Sequence, residues 1–244
     1  MVVLILADRG DPSVPAVAAA LAQRRTRFVL ACGDDLARAH PFGHVVDDEG
    51  PRLRVQLADG RRWTHRSVDA VLNRLRWLPP AEGRIAEPDR SYAQQELTAI
   101  TLSWLAALAD RVPMIGRPAA TGLAGAWRQP AEWAVLIAAA GLRPHPVRLD
   151  GARETDAWAS GFVGAARALV VLGEVLPAAA RLDEASRAGL VRLAALADAD
   201  TLSVELDGAG RIARPEVVPD LRLGGRAAAQ RIAATLSGAA TGGA

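Results

Sequence analysis

The chain opens on an unbroken apolar run at residues 2–7 (VVLILA), which stops at Asp8-Arg9-Gly10-Asp11-Pro12. A short apolar run bounded by a turn signal predicts a buried parallel strand. Pro12 then opens a helix through Val14, Val17, Ala18 and Leu21, because proline is tolerated in a helix's first turn. Residues 28–31 predict a second strand, so a β-α-β unit fits into about thirty residues. Residues 33–67 are more polar, and Leu53, Val55 and Leu57 alternate before Asp59-Gly60, the pattern of a β-hairpin turning on Asp-Gly. The stretch with His40 and His44 reads as a surface loop. An i,i+4 histidine pair makes a metal site only on a helix, and Pro41 and Gly43 forbid one. Residues 68–72 predict a strand that ends at Asn73-Arg74.

After a loop at 79–89, Asp89 or Ser91 caps a long helix carrying Leu97, Ile100, Leu102, Trp104, Leu105 and Leu108. A short strand at 112–115 is broken by Gly116-Arg117-Pro118, and a helix over 127–140 stops at Gly141. Arg143-Pro144-His145-Pro146 leads into an extended piece at 147–149. The remainder is alanine-rich and reads as α+β: strands at 167–172 and 175–177, a helix capped by Asp183, and a hairpin of 202–206 and 212–218 around Asp207-Gly208. A last helix at 225–236 runs into a Gly/Ala tail expected to be disordered.

Composition narrows the possibilities. Among 244 residues there is one cysteine, so no disulfide framework is possible and a reducing, cytoplasmic setting is expected. Apolar stretches are interrupted before membrane-spanning length, and the first strand lacks the basic flank of a signal peptide. There is no lysine: all 29 basic residues are arginine. With a net charge of only +2, that absence carries the isoelectric point to about 9.4, because almost nothing titrates between the α-amino group and arginine. The arginines do not gather into a basic run with interleaved aromatics, so neither nucleic acid nor membrane is an expected partner.

The order of these pieces resembles the ATP-grasp superfamily, in the branch of the graspetide (microviridin-type) peptide ligases and the ribosomal-protein glutamate ligases. VLILADRGDP looks like that branch's opening strand and Asp-containing turn. DAVLNRL at 69–75 is similar to its strand-then-arginine segment, and SYAQQELTAITLSWLAAL at 91–108 to its glutamate-bearing helix. VPMIGRP sits where the family has Ile-Asn-x-Pro, with Gly116 in place of Asn. VELDGAGRIARPEVVPDL at 204–221 has the layout of the strands that hold the nucleotide's magnesium, which matches Glu205 and Glu216 to the two acidic ligands and puts Val218 where the family has Asn.

The resemblance implies an ATP-grasp-like α/β fold. Its parts would be an N-terminal parallel-sheet domain (1–116), a truncated α+β domain (117–238) and a tail (239–244). It also exposes departures. The family grips phosphates with lysines, and a planar guanidinium does not simply replace an ammonium. Its β-rich lid has no room between Leu149 and Arg167, and valine offers magnesium no oxygen. The expectation is a degenerate, non-catalytic fold that needs no cofactor. It would bind a partner protein, a peptide or a small anionic ligand, or associate with itself, and an accessory role to an active ligase is one form this could take. The alternative is an active ATP-dependent carboxylate–amine ligase that uses Mg-ATP with arginines on the phosphates.

Two candidate sites follow. Asn73, Arg74 and Arg76 end a parallel strand, where α/β folds place their ligand crevice, with Glu96 as a further ligand contact or as Arg74's salt-bridge partner. Glu205 and Glu216 are a metal pair or are neutralised by Arg211 and Arg214. Cys32 has no matching histidine for a catalytic thiol. Trp127, Trp133 and Trp158 flank the missing lid, as core or as cover for an exposed face.

Overall fold

A computed structural model describes residues 2–48, 50–79, 86–147, 164, 166–176 and 182–239. The chain divides into two units. One holds everything up to Ala124 plus the chain from Ile232, and the other runs from Gly125 to Arg231.

In the first unit, β1 (Val2–Ala7), α1 (Val14–Gln23) and β2 (Arg27–Cys32) form the expected β-α-β. A five-residue helix, α2 (Gly33–Ala37), follows. Next come β3 (Phe42–Asp47), β4 (Gly50–Gln56), β5 (Arg62–Thr64), β6 (Ala70–Arg74), α3 (Arg90–Ala109) and β7 (Met114–Ile115). The main sheet has the order β2-β1-β6-β7, all parallel. β1 is interior and covered on both faces, which is why its sequence is apolar without alternation. β2 is the edge, and its Phe28 and Leu30 remain partly exposed. Trp104, Leu105 and Leu108 of α3 pack with Leu4, Leu6, Leu53, Val55 and Val71 into one core, with Phe42 meeting the Trp104 ring edge-on at 6.0 Å.

Two sequence expectations change here. The histidine loop is an edge strand: β3 pairs antiparallel with β4, opposite Leu53 at His44 and opposite Val55 at Phe42. Pro41 sits just ahead of the strand, where a missing N–H breaks no ladder. β6 begins and ends two residues later than expected, because its register with β1 carries pairing through Leu6↔Asn73 and Ala7↔Arg74.

The second unit comprises α4 (Pro130–Ala139), β8 (Ala166–Val171), β9 (Glu174–Leu176), α5 (Glu184–Leu196), β10 (Thr201–Leu206), β11 (Ile212–Glu216) and the start of α6 (Gly225–Ala239). The sheet order is β11-β10-β8-β9, entirely antiparallel. α4 starts at Pro130, three residues later than expected, because Gln129 is extended and donates its N–H to the Glu132 carboxylate at 2.6 Å. Asp183 caps α5 by accepting from Ser186 N–H at 2.8 Å. Trp133 and Ile137 of α4 meet Leu190 and Leu193 of α5 over Val170, Val204 and Ile212 of the sheet. The segments 148–163 and 177–181, which contain Trp158 and the expected lid deletion, lie outside the described residues, as does the tail from residue 240. No helix among the described residues is long and apolar enough to cross a membrane.

Candidate functional site

At the C-terminal end of the parallel sheet, the turn after β1 supplies two aspartates, and the end of β6 and the segment after it supply two arginines, Arg74 and Arg76. Arg74 donates from Nε to Asp11 at 2.7 Å and from Nη2 to the other Asp11 oxygen at 3.3 Å, and Nη2 also reaches Ser13 Oγ at 3.1 Å. Asp11 in turn accepts Ser13 N–H at 2.8 Å, which shapes the entry into α1. Both charged side chains are almost sealed from water, at 5% and 2% exposure. The second pair is more open: Arg76 donates to Asp8 through Nε at 2.6 Å and through its backbone N–H at 3.1 Å. Asn73 donates its carboxamide to the carbonyls of Gly116 (2.9 Å) and Leu123 (2.7 Å) and accepts Leu75 N–H at 3.2 Å.

Three of the four sequence-identified residues therefore meet here, each engaged by the protein. Glu96 does not join them. It lies exposed on α3, and Arg74's carboxylate partner is Asp11. Asp8 and Asp11 were visible in the sequence only as an Asp-containing turn; pairing at a separation of 63 residues leaves no local signal.

Gly116 completes this corner. Its φ is +80°, and a Cβ there would stand 2.1 Å from the Asn73 carbonyl oxygen. Only glycine fits, which accounts for its presence where the resemblance calls for asparagine.

Nearby, Arg9 and Asp34 pair at 2.8 Å, and Arg9's hydrogen bond and charge hold the Asp34 carboxyl below its usual range. Burial, with Asp35 beside it, pushes the Cys32 thiol up, away from the thiolate a nucleophile needs.

The acidic pair of the second unit is arranged differently from a metal clamp. Glu205 sits between two strands: its Oε1 accepts from Arg167 of β8 at 2.8 Å and its Oε2 from Arg214 of β11 at 3.4 Å. Arg214, rather than Arg211, is the β11 arginine on Glu205. Arg211 instead bonds Asp207 through Nε at 2.7 Å. β10 and β11 change register between Ser203 and Glu205, so Glu216 is paired with Ser203 and Glu205 with Ala213. The residue in the bulge, Arg214, takes φ +47°, a conformation uncommon outside glycine and typical of bulges.

A magnesium ion does not fit the side chains as they stand. One carboxylate is neutralised from both sides, Val218 is buried and carries no donor oxygen, and the two glutamates are diagonal neighbours rather than opposite ones. Among the described residues no three His, Cys, Asp or Glu side chains gather into a metal-holding group.

The same hairpin holds a pair that the sequence reading passed over. Asp207 is buried at the turn and accepts N–H groups from Ala209 and Arg211, both at 2.9 Å, and meets His145 Nδ1 at 3.3 Å. Burial works to raise its pKa. The N–H and guanidinium of Arg211, then Ala209 N–H and His145, outweigh burial and hold Asp207 far below the usual carboxylate range. His145 is itself fixed by backbone pairing to Ile212 at 2.8 Å.

Of the three tryptophans, Trp133 is core, with the Arg128 guanidinium 5.2 Å above its ring, and Trp127 is 62% exposed.

No family profile and no curated protein matches the sequence. Solved structures do match it. The macrocyclase MdnC from Microcystis aeruginosa MRC, bound with precursor peptide MdnA, is similar at a TM-score of 0.73 and 13% identity, over 98% of this chain and 100% of that one. MdnB from the same organism is similar at 0.72 and 14%, over 96% and 98%. A RiPP-associated ATP-grasp ligase of Chryseobacterium gregarium, in complex with ADP and a leader and core peptide, is similar at 0.68 and 10%, over 97% and 96%. The chain thus has the ATP-grasp fold along nearly its whole length, and its likeness is to peptide-modifying ligases.

Proposed function

We propose that this ATP-grasp-fold chain is non-catalytic and works by binding a peptide or a partner protein, as an accessory to an active ligase. One observation carries the reading: Glu205, the residue matched to a magnesium ligand, has both carboxylate oxygens taken by arginines, at 2.8 and 3.4 Å. A carboxylate neutralised in this way is a poor ligand for a hard cation. Val218 and the absence of lysine point the same way. The peptide part of the reading draws support from the similar structures, of which MdnC is bound with precursor peptide MdnA and the Chryseobacterium ligase with a leader and core peptide.

Self-association or a stable complex belongs to the same proposal. Trp127, Val135 and Leu196 of the second unit are large apolar side chains left at the surface, and exposed aromatics are the usual anchors of interfaces. Calorimetric titration with Mg-ATP is the test of the catalytic question. Weak or absent binding is expected, and a micromolar dissociation constant that is lost in Glu216→Ala would overturn the degenerate reading. Light scattering addresses assembly: a single-chain mass at micromolar concentration, with no co-purifying partner, counts against the accessory role.

A further inference from the structure

At the end of the parallel sheet opposite Arg74, the chain leaves a cavity of about 220 Å³. Val2 and Leu4 lie on one face of β1, and the register Val2↔Arg27 and Leu4↔Val29 puts Arg27 and Val29 on that same face. Val68, ahead of β6, and Trp63 of β5 extend the apolar wall. Arg27 and Arg62 are the charged residues of the lining. Among the described residues neither has a carboxylate partner, whereas Arg61, next in sequence to Arg62, is tied to Asp59 at 2.5 Å and to Asp35 at 3.7 Å. Asp69, which follows Val68, stays outside the lining and accepts Val2 N–H at 2.6 Å. The cavity thus pairs an apolar, partly aromatic wall with two cations and no anion.

We propose that this cavity binds a small carboxylate whose apolar body is the size of one aromatic side chain. The size follows from the volume, which falls short of the roughly 300–1,000 Å³ that drug-sized ligands occupy. The charge follows from the two arginines, whose planar forks suit a carboxylate. The aromatic body follows from Trp63, which favours ring stacking in offset or edge-on geometry. The site is independent of the acidic hairpin, so the outcome with Mg-ATP has no bearing on it.

Amide chemical shifts of the full chain, titrated with 3-phenylpropionate and in parallel with uncharged 3-phenylpropionamide, test the proposal. The acid is expected to give saturable shifts at residues 2–4, 27–29 and 62–68, and to bind at least about tenfold more tightly than the amide. Arg27→Gln and Arg62→Gln change exposed side chains, so their melting profiles should match the parent's. Each should weaken the acid by on the order of tenfold while leaving the amide unaffected. Absence of saturation at millimolar acid, equal binding of acid and amide, or full acid affinity in both variants each overturns the proposal.

Discussion

The two units solve the same electrostatic problem in opposite ways. In the first, Arg74 and Asp11 are sealed together at the end of a parallel sheet, with every oxygen of the carboxylate accounted for. In the second, Glu205 is 17% exposed while its partners Arg167 and Arg214 keep about half of their side chains in water, at 56% and 45% exposure. Water decides what each arrangement does. A sealed pair cannot release one member without stranding a charge in a poorly polarisable interior, so it acts as a fixed strut. A pair in contact with solvent exchanges partners at little cost, because water takes over whatever the protein gives up.

The sharpest way to break this contrast is Arg74→Ala. It leaves Asp11 buried and uncompensated, and the expected loss is about 3–5 kcal/mol of stability in denaturant titration. A loss below about 1 kcal/mol would make the two pairs equivalent. Gly116→Ala attacks the same corner through the backbone, with an expected cost of at least about 2–3 kcal/mol from strain at positive φ and the clash with the Asn73 carbonyl.

Asp207 offers a test by pH. Its folded pKa is depressed, so its contribution is present above the unfolded value of about 3.9 and disappears as pH falls through the folded value. Asp207→Asn should therefore melt several degrees below the parent at pH 6, and the gap should close in strong acid. A gap that stays constant with pH would mean that His145 and Arg211 hold the turn without the carboxylate's charge. At the small end, Arg214→Gln should change stability by no more than about 1 kcal/mol, as exposed pairs do. A larger change would place Glu205 among the sealed pairs.

Much of this architecture was legible because it is local. The apolar run of β1, Asp59-Gly60 and Asp207-Gly208 between alternating strands, and the Asp183 cap all act within a few residues and read directly. What escaped was long-range or fine-grained. Asp11 lies 63 residues from Arg74, and no pattern short of the β1–β6 register connects them. β3 was obscured by Pro41 and Gly43, since a strand edge tolerates residues that would rule out a helix. The five-residue α2 is too short to show a helical period, and the bulge at Arg214 is a one-residue register change that alternation alone cannot reveal. Glu205 and Glu216 stand out in the sequence as two glutamates near arginines, but which β-hairpin arginine bonds Glu205 depends on that bulge.

The contact between position 116 and the Asn73 carbonyl also constrains how the chain can change over generations. Asparagine, which the resemblance calls for at 116, does not fit there by a single substitution, because any Cβ at 116 strikes the β6 backbone before a polar group can act. A substitution that first shifts the Asn73 backbone would loosen the carboxamide bonds to Gly116 and Leu123 and offer nothing in return until 116 changes as well. Positions 73 and 116 are thus coupled, so that a side chain at 116 is tolerated only together with a shift of the backbone at 73.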